Sequence, residues 1–155
     1  FDGDISMAIK KGVNVLERGS QVHFMAEFLA ILDFPPAPKL DIYGALDPAK
    51  ATPAELRGQA IFNGKAQCAS CHPAPYYTDL KAERFYKQEL VNGMMMAHDG
   101  LIKTFPLRGI KDSPPYLHDG RCFTLEDTVE YFNLVQQLHL TAQEKTDLVA
   151  FLRSL

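Results

Sequence analysis

The chain has 155 residues, 46% of them hydrophobic, and a formal net charge of −3. That is enough apolar content for one packed domain, or a domain plus an extra segment. The mild negative charge argues against nucleic acid as the main partner, because duplex binding calls for a basic face, and no run of about eighteen apolar residues is present to span a membrane.

The chain begins Phe1-Asp2-Gly3, with no start methionine and no recognisable leader, and reads as a processed or truncated chain. Residues 4–33 suggest two helical stretches with a break at Gly19-Ser20. Val22, Met25, Ala26, Phe28, Leu29 and Leu32 recur at helical spacing and predict one buried stripe. Phe34-Pro35-Pro36-Ala37-Pro38 is incompatible with a helix interior, so residues 34–50 are expected to form a linker. Thr52-Pro53-Ala54-Glu55 is a helix start: Thr52 caps, Pro53 suits the first helical position and Glu55 completes a capping box. That helix should stop near Asn63-Gly64.

Cys68–His72 follows, and Pro73 prevents a helix from continuing. A helix is expected over residues 80–91, then an extended ordered loop, dense in Gly and Pro, over 92–123. Thr124-Leu125-Glu126-Asp127 starts a helix to about residue 138, and Thr141-Ala142-Gln143-Glu144 is a second full capping box. Leu148, Phe151, Leu152 and Leu155 give the last helix its apolar face. No internal repeat and no convincing strand is found, so the expected class is all-α with long ordered loops.

Cys68-Ala69-Ser70-Cys71-His72 fits C-x-x-C-H, the attachment signature of c-type haem. Two thiols add across the two haem vinyl groups as thioethers, and two intervening residues let them reach both edges. The histidine directly after then turns its imidazole under the iron as an axial ligand. From this composition chance alone gives the pattern in roughly one chain in five hundred. A pair of buried free thiols is the bland alternative. A closed zinc site needs four ligands, and no second C-x-x-C or H-x-x-x-H is present. A thioredoxin-like C-x-x-C needs a βαβ context, which is not visible. With three cysteines in all, Cys122 is left over and reads as a buried inert thiol. The expected cofactor is therefore one covalent haem c, on Cys68, Cys71 and His72.

Three further stretches extend the pattern. Lys103-Thr104-Phe105-Pro106-Leu107-Arg108-Gly109-Ile110 is followed by Pro114-Pro115-Tyr116-Leu117-His118-Asp119-Gly120, and then by Thr124-Leu125-Glu126-Asp127-Thr128-Val129-Glu130. With the haem motif, these make residues 24–155 resemble the C-terminal haem domain of the bacterial di-haem cytochrome c peroxidase and MauG family. The P-Y-x-H-D-G turn is the most specific part. The resemblance implies a cytochrome c-like domain over 51–155. It makes 1–50 a helical N-terminal segment and Pro-rich linker, the tail of an upstream domain. In that family the sixth iron ligand is a Met or Tyr three residues after the Val of the T-L-x-x-x-V helix. Here that position is Phe132, which cannot ligate iron, and Tyr131 points about 100° away around the helix. The family's peroxidases also carry a second haem motif and an inter-haem tryptophan, whereas this sequence has one motif and no tryptophan.

The sixth ligand stays open among Met94, Met95, Met96, His98, Tyr131, His118 and an open or water-bound face. Met95 is favoured, because a methionine thioether is the common electron-transfer choice, although methionines also fill core gaps. Arg108 is expected either to pair with a haem propionate or to be a surface arginine. His118 and Asp119 are expected to shape a turn. Tyr76 and Tyr77 either pack on the macrocycle or are ordinary loop aromatics, and His23 and His139 are expected on helix surfaces.

Two main functions compete. One is periplasmic one-electron transfer by an exported bacterial cytochrome, with a redox protein or other subunits of a larger haem complex as partner. The other is a MauG-like or peroxidase-like haem acting on hydrogen peroxide together with an upstream haem domain. The absence of a second motif or an evident distal base favours the first.

Overall fold

The computed structural model of the chain describes residues 19–83, 89–91, 94–96 and 101–155, the side chains of 19–22, 89–91 and 94–96 excepted. Contacts divide the chain into two compact units, Phe1–Phe34 and Pro35–Leu155.

In the first unit, helix α1 spans Gly19–Ala30. Met25, Phe28, Leu29 and Leu32, expected in a buried stripe, are all more than half exposed. Helical periodicity reports a face suited to burial; it does not say what covers that face.

In the second unit, among the described residues, helices α2 (Pro53–Asn63), α3 (Leu125–Val135) and α4 (Ala142–Leu152) carry the core. Each starts with a complete capping box. The hydroxyls of Thr52, Thr124 and Thr141 accept from the backbone N–H three residues on, and Glu55, Asp127 and Glu144 accept in return from the cap's own N–H. These reciprocal bonds satisfy N–H groups that a helix start otherwise leaves orphaned. α2 and α4 meet at Gly58, where a Cβ would lie 2.0 Å from the Asp147 carbonyl oxygen. Only a residue without a side chain permits that crossing. Below it Phe62 and Phe151 pack edge-on with ring centroids 5.1 Å apart, and Tyr77 joins them at 5.7 Å from Phe62. Burying each such ring is worth about 1.5–3 kcal/mol. Leu125 and Val129 of α3 and Leu148, Leu152 and Leu155 complete the same core.

Residues 35–50, expected as a linker, belong to this unit. Leu40 bridges to Leu46, Leu46 is buried, and Asp41 Oδ1 accepts from the N–H groups of Tyr43 and Ala45 to hold the turn. The compact unit thus begins at Pro35, ahead of the boundary expected at residue 51.

The expected helix over 80–91 is replaced by strand at 82–83 and 89–91, and with it the purely all-α reading. β1 (Ala82–Glu83) pairs antiparallel with β4 (Ile102–Lys103), and β2 (Glu89–Val91) with β3 (Met94–Met96), in register Leu90↔Met95. Pairing across sequence overrode a weak helical pattern. Among the described residues the molecule is helix-rich with two small two-stranded sheets.

Candidate haem site

The motif is built on one tight turn. Gln67 sits in the left-handed region at φ 52°, and Cys68–Ser70 form a single 3₁₀ turn. The backbone N–H of His72 donates to the Cys68 carbonyl at 2.9 Å. One turn therefore carries both thiols and the imidazole. Cys68, Cys71 and Cys122 are all free thiols. Burial pushes the Cys68 thiol up to about 11, so it is neutral at physiological pH, and it donates weakly to the Ala66 carbonyl at 3.6 Å.

His72 is half-buried, with Nδ1 2.8 Å from the carbonyl oxygen of Tyr77. A carbonyl only accepts, so Nδ1 carries the proton and the neutral ring keeps its lone pair on Nε2. That is the tautomer an iron-ligating histidine needs, oriented by a backbone acceptor. Burial lowers the ring's affinity for a proton, opposed by the backbone of Tyr77 and Phe105 and by the Asp79 charge.

Tyr77 holds this acceptor in place. Its backbone is left-handed at φ 57°, its ring is buried among Phe62 and Phe151, and its hydroxyl donates to the Gly44 carbonyl. Its carbonyl also accepts from the N–H of Leu107 at 3.2 Å. Thr78 Oγ1 donates to the Thr104 carbonyl at 2.6 Å, and the Thr104 N–H donates to the Lys81 carbonyl at 2.9 Å. The segment 104–107 is thereby laced to the loop after the motif.

Leu80 and Phe105 beside this loop are exposed by 70% and 64%, and Tyr76 by 58%. Exposed apolar side chains on the segments that hold the imidazole suit a flat apolar macrocycle. The thiol pair, the oriented imidazole and these apolar side chains fit a c-type haem.

The other candidates fall as follows. Arg108 is half-buried and donates to the Pro35 carbonyl at 3.3 Å. His118 is exposed, while Asp119 does shape a turn: its carboxylate accepts from the Arg121 backbone N–H and from Arg121 Nε, and Gly120 follows at φ 70°. The loop from Tyr116 to Cys122 is closed by a bridge between those two residues, and Cys122 is buried. Tyr131 packs at the margin of the core, edge-on to the half-buried Phe132 at 5.5 Å, with the Arg121 guanidinium 5.9 Å from the Tyr131 ring centre. Met94, Met95 and Met96 form β3, but their side chains, like all of His98, lie outside the described residues. His23 lies on α1 near Glu27, and His139 is exposed in the turn between α3 and α4, not on a helix. Tyr76 and Tyr77 part company, the first exposed and the second in the core. Sequence reasoning missed the role of the Tyr77 carbonyl, the Thr78–Thr104 tie and Gly58. Each acts through a partner distant in sequence, and composition carries no mark of it.

No protein-family model matches the chain. It is 28% identical over 166 residues to the cytochrome-c peroxidase IdrP1 of Denitromonas iodatirespirans, covering 74% of this chain and 43% of that protein. The cytochrome-c peroxidase IdrP2 of Pseudomonas sp. (strain SCT) is 28% identical, covering 84% of this chain and 47% of its own length. The methylamine utilization protein MauG of Methylorubrum extorquens is 30% identical, covering 64% of this chain and 33% of its own. A solved structure of hydrazine synthase from Kuenenia stuttgartiensis, pressurised with xenon, superposes with a TM-score of 0.60 at 25% identity, covering 83% of this chain and 52% of that one. The chain spans less than half the length of the curated relatives it matches.

Proposed function

We propose, from the chain's kinship with the cytochrome-c peroxidase and MauG proteins, that it is a cytochrome c-like domain with one covalent haem c and that it carries single electrons in the periplasm. The observation that carries the reading is the His72 Nδ1 to Tyr77 carbonyl contact of 2.8 Å within a C-x-x-C-H turn. When bound, a c-type haem supplies a one-electron ferric–ferrous couple. Cys68 and Cys71 tether it, and His72 offers Nε2 to the iron. The Tyr77 carbonyl holds the ring's tautomer and angle. Leu80 and Phe105 keep water from that side, and Arg108 offers its guanidinium to a propionate. Met95 remains the proposed sixth ligand. The partner is a redox protein or another subunit of a larger haem assembly.

In a second reading the domain works on hydrogen peroxide with an upstream haem domain, and the peroxidase names of two relatives favour it. Mass spectrometry of the denatured protein, matured where haem c is attached, tests the shared premise. An added haem mass that survives acid–acetone extraction is expected, and its loss in Cys68→Ala/Cys71→Ala. Haem that washes out of the wild type would overturn both readings.

A further inference from the structure

We propose that Asp79 sets the reduction potential of the haem site, its carboxylate being a fixed, shielded anion beside the iron ligand His72. The inference rests on the haem reading above. The backbone N–H of Asp79 donates to the Cys71 carbonyl at 2.9 Å, which lays Asp79 against the peptide joining Cys71 to His72. Its side chain is only 9% exposed. Oδ1 accepts the Lys81 backbone N–H at 2.9 Å, an Asx turn that fixes the carboxylate's direction.

An anion held against that peptide favours ferric over ferrous iron on the His72 ring, because the ferric state carries one more positive charge. Lys81 does little to cancel it. Its ammonium comes no nearer than 3.9 Å to Oδ2 and is 73% exposed, so water and salt screen it more than they screen the carboxylate. Nothing in the electron-transfer or peroxidase reading calls for an acidic residue here. Its effect is to hold the domain toward the oxidised state and so to favour strong donors as partners.

The test is a spectroelectrochemical midpoint titration of the haem-loaded chain. Asp79→Asn keeps an oxygen for the Lys81 N–H, and with it the turn, but removes the charge. It is expected to move the ferric–ferrous equilibrium about tenfold toward ferrous, a rise of about 59 mV for one electron. Asp79→Glu, which keeps the charge, should stay near wild type. Lys81→Met, which uncovers the carboxylate, should shift the midpoint the other way by a smaller amount and serves as the decisive variant if Asp79→Asn fails to fold. An Asp79→Asn midpoint within twofold of wild type in that equilibrium overturns the proposal, as does an Asp79→Glu variant that moves as far as the Asn one. A protein with its haem attached and its midpoint unmoved sinks only the role of Asp79; a protein with no covalent haem sinks the haem reading and this inference together.

Discussion

Tyr77 is fastened at both ends, and each fastening does a different job. The hydroxyl on the Gly44 carbonyl and the ring between Phe62 and Phe151 hold the residue in the core. The carbonyl on His72 delivers that rigidity to the site. Tyr77→Phe leaves the ring in place but removes a buried donor, so urea denaturation should show a loss of about 1 kcal/mol. Tyr77→Ala removes the ring as well and should cost about 4 kcal/mol. It should also disturb the ferric haem spectrum, which Tyr77→Phe should leave nearly unchanged. Equal stability of both variants with wild type would remove Tyr77 from this role. Phe132, three residues after Val129 on α3, is half-buried against Tyr131. Phe132→Met is expected to offer the iron a thioether and to shift both the ferric spectrum and the midpoint. Spectra superimposable on wild type would show that this position lies out of reach of the iron.

At the scale of elements, the crossing of α2 and α4 brings the buried rings of Phe62 and Phe151 together. Gly58→Ala gains helix propensity of about 1 kcal/mol, but the new methyl lands 2.0 Å from the Asp147 carbonyl oxygen and 2.7 Å from Phe151 Cβ. The helices must separate, so a net loss of about 3 kcal/mol is expected in chemical denaturation. A stability equal to or above wild type would mean that the crossing is looser than described. The same pair of helices is latched by charge. Asp147, buried, accepts from Arg57 Nε at 2.7 Å, from the second guanidinium nitrogen at 2.9 Å, and from Gln143 at 3.0 Å. Hydrogen bonds from Arg57 are the main reason its carboxyl titrates below the ordinary 3.8, with burial opposing and Gln143 assisting. A folded pKa below the unfolded one means that the stabilisation is complete above the unfolded value and fades as pH falls through the folded one. Asp147→Asn should therefore cost about 2 kcal/mol at neutral pH, and the deficit should shrink below about pH 4. A deficit independent of pH would place the effect in packing instead. Lys65–Glu144, Lys145–Glu130 and Arg153–Glu126 are more exposed and contribute little each.

At the scale of the whole molecule, the electron-transfer and peroxide readings make opposite predictions. Peroxide cleavage needs an open iron face and a group to move the proton. The sequence has one C-x-x-C-H and no tryptophan, and His118 lies exposed in its loop. Stopped-flow mixing of the ferric protein with peroxide should leave the spectrum unchanged over the time in which a small redox dye exchanges electrons with it. A rapid new haem spectrum, followed by sustained turnover with an electron donor, would favour the peroxidase reading.

What the sequence by itself determined is what is written in neighbouring residues. The C-x-x-C-H motif, three helix starts, two of them with their reciprocal caps, the stop at Asn63-Gly64 and the Asp119-Gly120 turn were all legible, because each is decided by side chains within a few residues of one another. What only the tertiary structure decided depends on partners far along the chain. The Tyr77 carbonyl becomes the histidine's anchor because Gly44 and Phe151 fix Tyr77 from opposite ends of the domain. Gly58 matters because Asp147 arrives against it. Residues 82–83 become strand because 102–103 lie alongside, and the apparent linker at 35–50 joins the core because Leu46 is buried in it. Local free energies of a fraction of a kcal/mol per residue yield to packing and pairing worth several times more, and those are set by the fold as a whole.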